Sequence, residues 1–151
     1  MMLIWRSCMR NSLFCYGTLQ SPEVIRAVTG HKFNGTKAEL HNYGIFRVSG
    51  TDYPGIIPKK EGIVRGIVYY DISDEILRTL DHFEGDQYFR NEVTIFRMDG
   101  MAEKAFTYCI REDQEKILTD EVWDIGTFLD EGIERFMRSF VEERRNIFEE
   151  D

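Results

Sequence analysis

The stretch Phe83-Glu84-Gly85-Asp86-Gln87-Tyr88-Phe89-Arg90 puts one carboxylate among aromatic neighbours. A glutamate with Phe83 before it and Tyr88 and Phe89 after it stands to lose hydration. Its pKa then rises, and it can take and return a proton near neutral pH. The competing reading is a solvated residue at the end of a helix, the commoner fate of glutamate. A second stretch, Tyr16-Gly17-Thr18-Leu19, lies where a strand runs through glycine towards a helix that opens at Ser21. Backbone N–H groups and the positive end of a helix dipole then converge, which suits an anion such as a carboxylate. The alternative is a tight connection that needs glycine for its dihedral angles.

Other ionisable groups fit structural roles. Arg90 shares a strand face with Tyr88 and either pairs with a carboxylate or sits on a polar face. Asp81 and Asp86 flank Glu84 and are expected in solvent. Tyr43, Tyr53, Tyr88 and Tyr108 are expected to line a core or a barrel. The chain has no GxxxxGK[ST] motif and no Ser-His-Asp order with a nucleophile elbow. The three cysteines, Cys8, Cys15 and Cys109, have no CxxC spacing, and His31, His41 and His82 have no ligand spacing. Neither a disulfide framework nor a metal site is expected. Cys15 and Cys109 lie in apolar runs and read as small buried hydrophobes.

The elements that must position these residues follow from pattern. Residues 12 to 16 form a short apolar strand ending at Gly17. Ser21-Pro22-Glu23 opens a helix by capping, by proline at its first turn and by acid at its positive end, and Gly30 stops it. A strand is predicted over about 36 to 48. Residues 53 to 58 form a rigid turn and a short extended piece, and Lys59 to Gly62 a polar turn. Residues 63 to 72 are β-branched and aromatic, hence a strand, with Gly66 marking a bulge or a close approach of another backbone. Ser73-Asp74-Glu75 opens a second helix that ends over Phe83 to Asp86. Tyr88 to Met98 and Lys104 to Ile110 form a hairpin about Asp99-Gly100. Apolar residues from Trp123 to Val141 recur at helical spacing and predict a long C-terminal helix. These elements lack the alternation of a doubly wound sheet. The expected fold is α+β, with a small mixed, mostly antiparallel β-barrel, short helices and the long C-terminal helix.

The chain has 151 residues, 42% hydrophobic and 30% charged, which suits one domain with one core. We expect residues 1–11 to be an N-terminal extension and 12–151 a single domain. Aromatics at 13% supply the means to line a pocket. A net charge of −8 argues against a nucleic-acid surface, which needs clustered cations. Arg144 and Arg145, flanked by glutamates, read as a solvated helix face. The start, MMLIWRSCMR, lacks the apolar run of a signal peptide, and no later segment has the length to span a bilayer, so a cytoplasmic location is expected.

Taken in order, FCYGTL, YPGIIP with VRGIVY, and LDHFEGDQYFR resemble the gamma-glutamylcyclotransferase-like superfamily, over about residues 12 to 141. The resemblance implies a small mixed barrel with a site at its mouth. It places the substrate loop on Tyr16, Gly17, Thr18 and Leu19, the catalytic glutamate on Glu84 and a substrate-site tyrosine on Tyr88. The implied reaction converts a small gamma-glutamyl compound into 5-oxoproline and a free amine, with Glu84 as general acid and base and with no cofactor. Residues before Ser12 have no counterpart in the resemblance. The alternative for the same pocket is a non-catalytic module that binds a small carboxylate or a peptide tail.

Overall fold

The computed structural model describes residues 10–129 and, beyond them, Glu134, Arg135, Met137 and Arg138. β1 (Arg10–Cys15) begins two residues earlier than its apolar run because Arg10 and Asn11 pair with Ser73 and Ile72. Part of the expected N-terminal extension is therefore strand, while residues 1–9 lie outside the described residues. A 3-10 turn (Thr18–Gln20) leads into α1 (Pro22–Thr29), where Ser21 Oγ accepts the Val24 N–H at 3.4 Å and Val24, Ile25 and Val28 face the core.

β2 (Gly35–Val48) pairs antiparallel with β3 (Pro54–Ser73) from Gly35↔Tyr69 to Arg47↔Pro54. The polar turn expected at Lys59 to Gly62 is a wide bulge within β3 instead, its four residues having no partner in β2 between Pro58↔Tyr43 and Ile63↔His41. The irregularity there is a register shift between His41 and Tyr43, with Asn42 and Glu61 both at positive φ (67° and 65°) and Asn42 Oδ1 accepting the Glu61 N–H at 3.1 Å. The polar residues mark an exposed bulged ladder rather than a chain reversal.

α2 (Asp74–Glu84) starts where Ser73 Oγ accepts the Ile76 N–H at 3.2 Å, and it buries Leu77 and Leu80. Gly85, at φ 86°, ends it in a conformation that L side chains rarely adopt. β4 (Tyr88–Arg97) and β5 (Ala102–Ile110) form the predicted hairpin, in register from Tyr88↔Ile110 to Phe96↔Ala102. After a second 3-10 segment (Glu112–Ile117), β6 (Leu118–Val122) pairs with β2, and a helical turn α3 (Ile125–Thr127) follows. The long helix expected beyond Trp123 lies largely outside the described residues.

Neighbouring strands run β3-β1-β5-β4-β2-β6, and β2 also pairs with β3. Among the described residues every pairing is antiparallel except Leu13↔Phe106 between β1 and β5. The fold is thus mixed α+β with a mostly antiparallel sheet and short helices. Alternation along β1 sends Leu13 and Cys15 to one apolar cluster, shared with α1 and α2. Phe14 and Tyr16 go to a second cluster formed by β2, β3, β4 and β5. Both faces are therefore covered. Among the described residues, no helix is long and apolar enough to cross a membrane.

Candidate active site

Three chain segments converge on Glu84. It is the last residue of α2, placed by the positive-φ turn at Gly85 that feeds directly into β4. The residue keeps part of its surface open, and its carboxyl oxygens are not sealed from solvent, but the protein packed around the group strips part of its hydration, and this loss, with the Asp81 carboxylate adding to it, pushes its pKa up to about 8. The negative end of the α2 dipole acts in the same direction. Among the described residues, no donor bonds to this carboxyl.

The facing groups are hydroxyls and one thiol held neutral. Burial, followed by the nearby Tyr88 and Glu84, raises the Tyr16 pKa. Burial and then Glu84 raise those of Tyr88 and of Cys15. Tyr108 is raised by burial and by its bond to Asp81, with Glu84 contributing. The charge of Glu84 is therefore felt at the end of β1, on β4 and on β5 at once. Tyr16, Tyr88 and Tyr108 are all buried. Tyr16 Oη donates to the Tyr108 carbonyl, and Tyr88 Oη donates to the Pro54 carbonyl at 2.7 Å.

The loop after β1 is anchored by its carbonyls. Gln20 Nε2 donates to the Tyr16 carbonyl at 2.7 Å, and the Gln20 and Ser21 N–H groups donate to Gly17 and Thr18 at 3.0 and 3.1 Å. Tyr69 Oη contacts the Leu19 and Gln20 carbonyls, each at 3.1 Å. Among the described residues, no protein acceptor takes a hydrogen bond from the N–H of Gly17, Thr18 or Leu19. The loop thus commits its acceptors and leaves donors over. Gly17 is required by crowding rather than by a left-handed φ, since its φ is −117°. A Cβ there would lie 2.8 and 3.0 Å from Pro54 Cγ and Cδ. At the base of the loop, a Cβ on Gly66 would come within 2.4 Å of the Cys15 carbonyl oxygen, the close backbone approach expected of that glycine.

Glu84, Tyr16 and Tyr88 are brought together, and Gly17 is tied to Tyr88 through Pro54. Thr18 and Leu19 are buried on the 3-10 turn, and Leu19 shares one apolar cluster with Leu80 and Tyr88. Asp81 departs from expectation. Its side chain is 39% exposed, yet Oδ1 accepts the Tyr108 hydroxyl at 2.6 Å and lies 3.0 Å from Arg90 Nε. The open choice for Arg90 is settled by this pair and by its guanidinium lying 4.8 Å from the Phe106 ring centroid. Tyr108, Pro54 and Tyr69 were not singled out as site residues. The i, i+3 spacing of Asp81 and Glu84 was available in the sequence, whereas the other contacts depend on strand register. Tyr53, expected as lining, is 38% exposed at the rim beside Tyr88.

Residues 13–125 match the family described as gamma-glutamyl cyclotransferase, AIG2-like. This chain belongs to that family. AIG2-like protein C of Arabidopsis thaliana is 33% identical over 137 residues, which span 88% of this chain and 79% of the relative. A solution structure from Arabidopsis thaliana superposes with a TM-score of 0.69 at 27% identity, covering 89% of this chain and 82% of its own. A structure titled gamma-glutamyl cyclotransferase shares the fold, with a TM-score of 0.61 at 20% identity over 68% of each chain. Membership in the AIG2-like family supports enzyme activity of the cyclotransferase kind on a small gamma-glutamyl substrate. The family match covers both the Tyr16–Leu19 loop and the Glu84–Tyr88 segment.

Proposed function

We propose that this chain is a gamma-glutamyl cyclotransferase in which Glu84 moves the proton. A gamma-glutamyl amide carries its own nucleophile, the α-amine, within ring-closing distance of the γ-carbonyl, so the protein's main task is to hold the folded conformer. The observation that carries the reading is the Glu84 carboxyl, which has no hydrogen-bond donor among the described residues and a pKa pushed up to about 8. The substrate α-ammonium, beside its own α-carboxylate, holds its proton more tightly than a peptide N-terminus at about 7.7–8.0, and a carboxyl with a raised pKa is a far better matched base for it than an ordinary glutamate. Glu84 takes one proton from the ammonium. The amine nitrogen attacks the γ-carbon, Glu84 returns the proton to the leaving nitrogen as its bond to that carbon breaks, and the second proton shed by the ring nitrogen follows through Glu84 to the departing amine, which leaves as an ammonium. The products are 5-oxoproline and an amine, and the step balances with no further reactant.

The spare N–H groups of Gly17 to Leu19 suit the substrate α-carboxylate or the developing oxyanion, and Tyr16 and Tyr88 wall the acid–base group. The cycle of pairings from β3 through β1, β5, β4 and β2 back to β3 supports a small barrel with the site at its mouth. On this reading residues 10–129, with Arg10 and Asn11 in β1, belong to a single domain that acts in the cytoplasm. The test is incubation with gamma-glutamyl amines, gamma-glutamyl dipeptides and glutathione, followed by assay for 5-oxoproline. Product from one of these classes is expected. Saturable binding across the panel without product assigns the pocket to a binding module instead.

A further inference from the structure

Asp81 lies one helical turn before Glu84 and on the same face of α2. Its carboxylate is fixed from the opposite side of the site. Oδ1 accepts the Tyr108 hydroxyl at 2.6 Å and faces Arg90 Nε at 3.0 Å. Arg90 and Tyr108 are register partners across the β4–β5 hairpin, so two strands grip the helix through one carboxylate. Tyr108 Oη also reaches the Leu77 carbonyl at 3.5 Å, and the Arg90 guanidinium is held over the Phe106 ring. Glu84 is faced by Asp81 from its own helix, by Cys15 and Tyr16 from the end of β1, by Tyr88 from β4 and by Tyr108 from β5. Of these only Asp81 is a carboxylate. A like charge one turn away makes a carboxylate hold its proton more tightly, and a guanidinium bonded to that neighbour moderates the effect.

We propose that Asp81, held in place by Tyr108 and Arg90, is a positioning residue that sets the proton affinity of Glu84. The inference deepens the proposed cyclotransferase reaction, on which its catalytic meaning rests, but the electrostatic claim stands on the cluster alone. The bland alternative is a clamp that only ties the hairpin to α2.

The two are separated by following the Glu84 carboxyl carbon by NMR in the full chain labelled with 13C-glutamate, its resonance identified by loss in Glu84→Gln. Asp81→Asn should lower the titration midpoint by about one pH unit, roughly tenfold in proton affinity. Arg90→Gln should raise it, because the Asp81 charge is then unmoderated. A mere clamp loosens in both variants and hydrates Glu84, so midpoints that both fall, or that both stay put, overturn the proposal. If Asp81→Asn does not fold, a midpoint in Arg90→Gln that fails to rise is enough to overturn it. Where a gamma-glutamyl compound is turned over, the acidic limb of kcat/KM should move with the midpoint in both variants. Absence of turnover counts against the proposed function and leaves the titration result to decide the role of Asp81.

Discussion

The Tyr88 hydroxyl donates to the Pro54 carbonyl across 2.7 Å, and both residues are buried. One bond thus joins the first residue of β4, next to Glu84, to the proline that confines Gly17. Tyr88→Phe removes the donor and leaves a buried carbonyl without its partner. The expected cost is about 1–3 kcal/mol, read as a lower urea midpoint at unchanged m-value. Wild-type stability in this variant means that the carbonyl is satisfied by water and that the bond does not hold the two segments together.

Gly17→Ala meets the rigid Pro54 ring rather than the tip of a flexible side chain, with 2.8 Å to Cγ before any relaxation. Overpacking of this kind costs about 1–3 kcal/mol. Displacing Pro54 also shifts the loop donors, so KM for a gamma-glutamyl substrate should rise more than kcat falls. A variant with unchanged KM but lower stability assigns Gly17 to packing alone.

Glu84→Gln should keep the fold and lose at least about two orders of magnitude in turnover, as expected when an acid–base group is removed. It should also change the dependence of stability on pH. The folded pKa of about 8 stands above the ordinary 4.5, so the folded state holds an extra proton between those values. Wild-type stability is fullest below the ordinary pKa and declines as pH rises through about 8, by up to about 1.4 kcal/mol per pH unit. The glutamine side chain has no such proton, so the variant should gain on the wild type as pH rises. Thermal melts at about pH 5 and about pH 9 measure the crossover, and parallel curves would place the Glu84 carboxyl in water.

The productive complex holds one proton between Glu84 and the substrate amine. Below about pH 8 Glu84 is itself protonated, and the α-ammonium, held by the adjacent α-carboxylate, loses its proton only above the roughly 7.7–8.0 of a peptide N-terminus. kcat/KM should therefore be bell-shaped, with its rising limb near pH 8 and its apex above that. A profile that stays level from about pH 6 to about pH 9 removes the Glu84 proton from the reaction.

Much of this protein was legible before folding because its signals are local. Ser21 and Ser73 cap their helices, Gly85 turns the chain, Asp99-Gly100 closes a hairpin, and Leu77 and Leu80 face inward by spacing. Each depends on residues a few positions apart. Polar composition at Lys59 to Gly62 marked a break in the ladder but not its kind, because an exposed bulge and a chain-reversing turn call for the same residue types, and the pairs on either side, Tyr43↔Pro58 and His41↔Ile63, decide between them.

Glu84 stood out by its aromatic neighbours, but those neighbours were only partly the right ones. Phe89 is 39% exposed and Phe83 packs into the helix-side cluster, while the Tyr16 and Tyr108 hydroxyls that feel Glu84 come from other strands. Desolvation sums over everything nearby in space, and the sequence lists only what is nearby along the chain. The same holds for Asp81. Its spacing from Glu84 is a property of the helix and could be counted from the residues. Its bonds to Tyr108 and Arg90 exist because β4 and β5 pair in one register and α2 packs against them. The identity of the acid–base candidate was therefore written in the chain, while its proton affinity was decided by the tertiary structure.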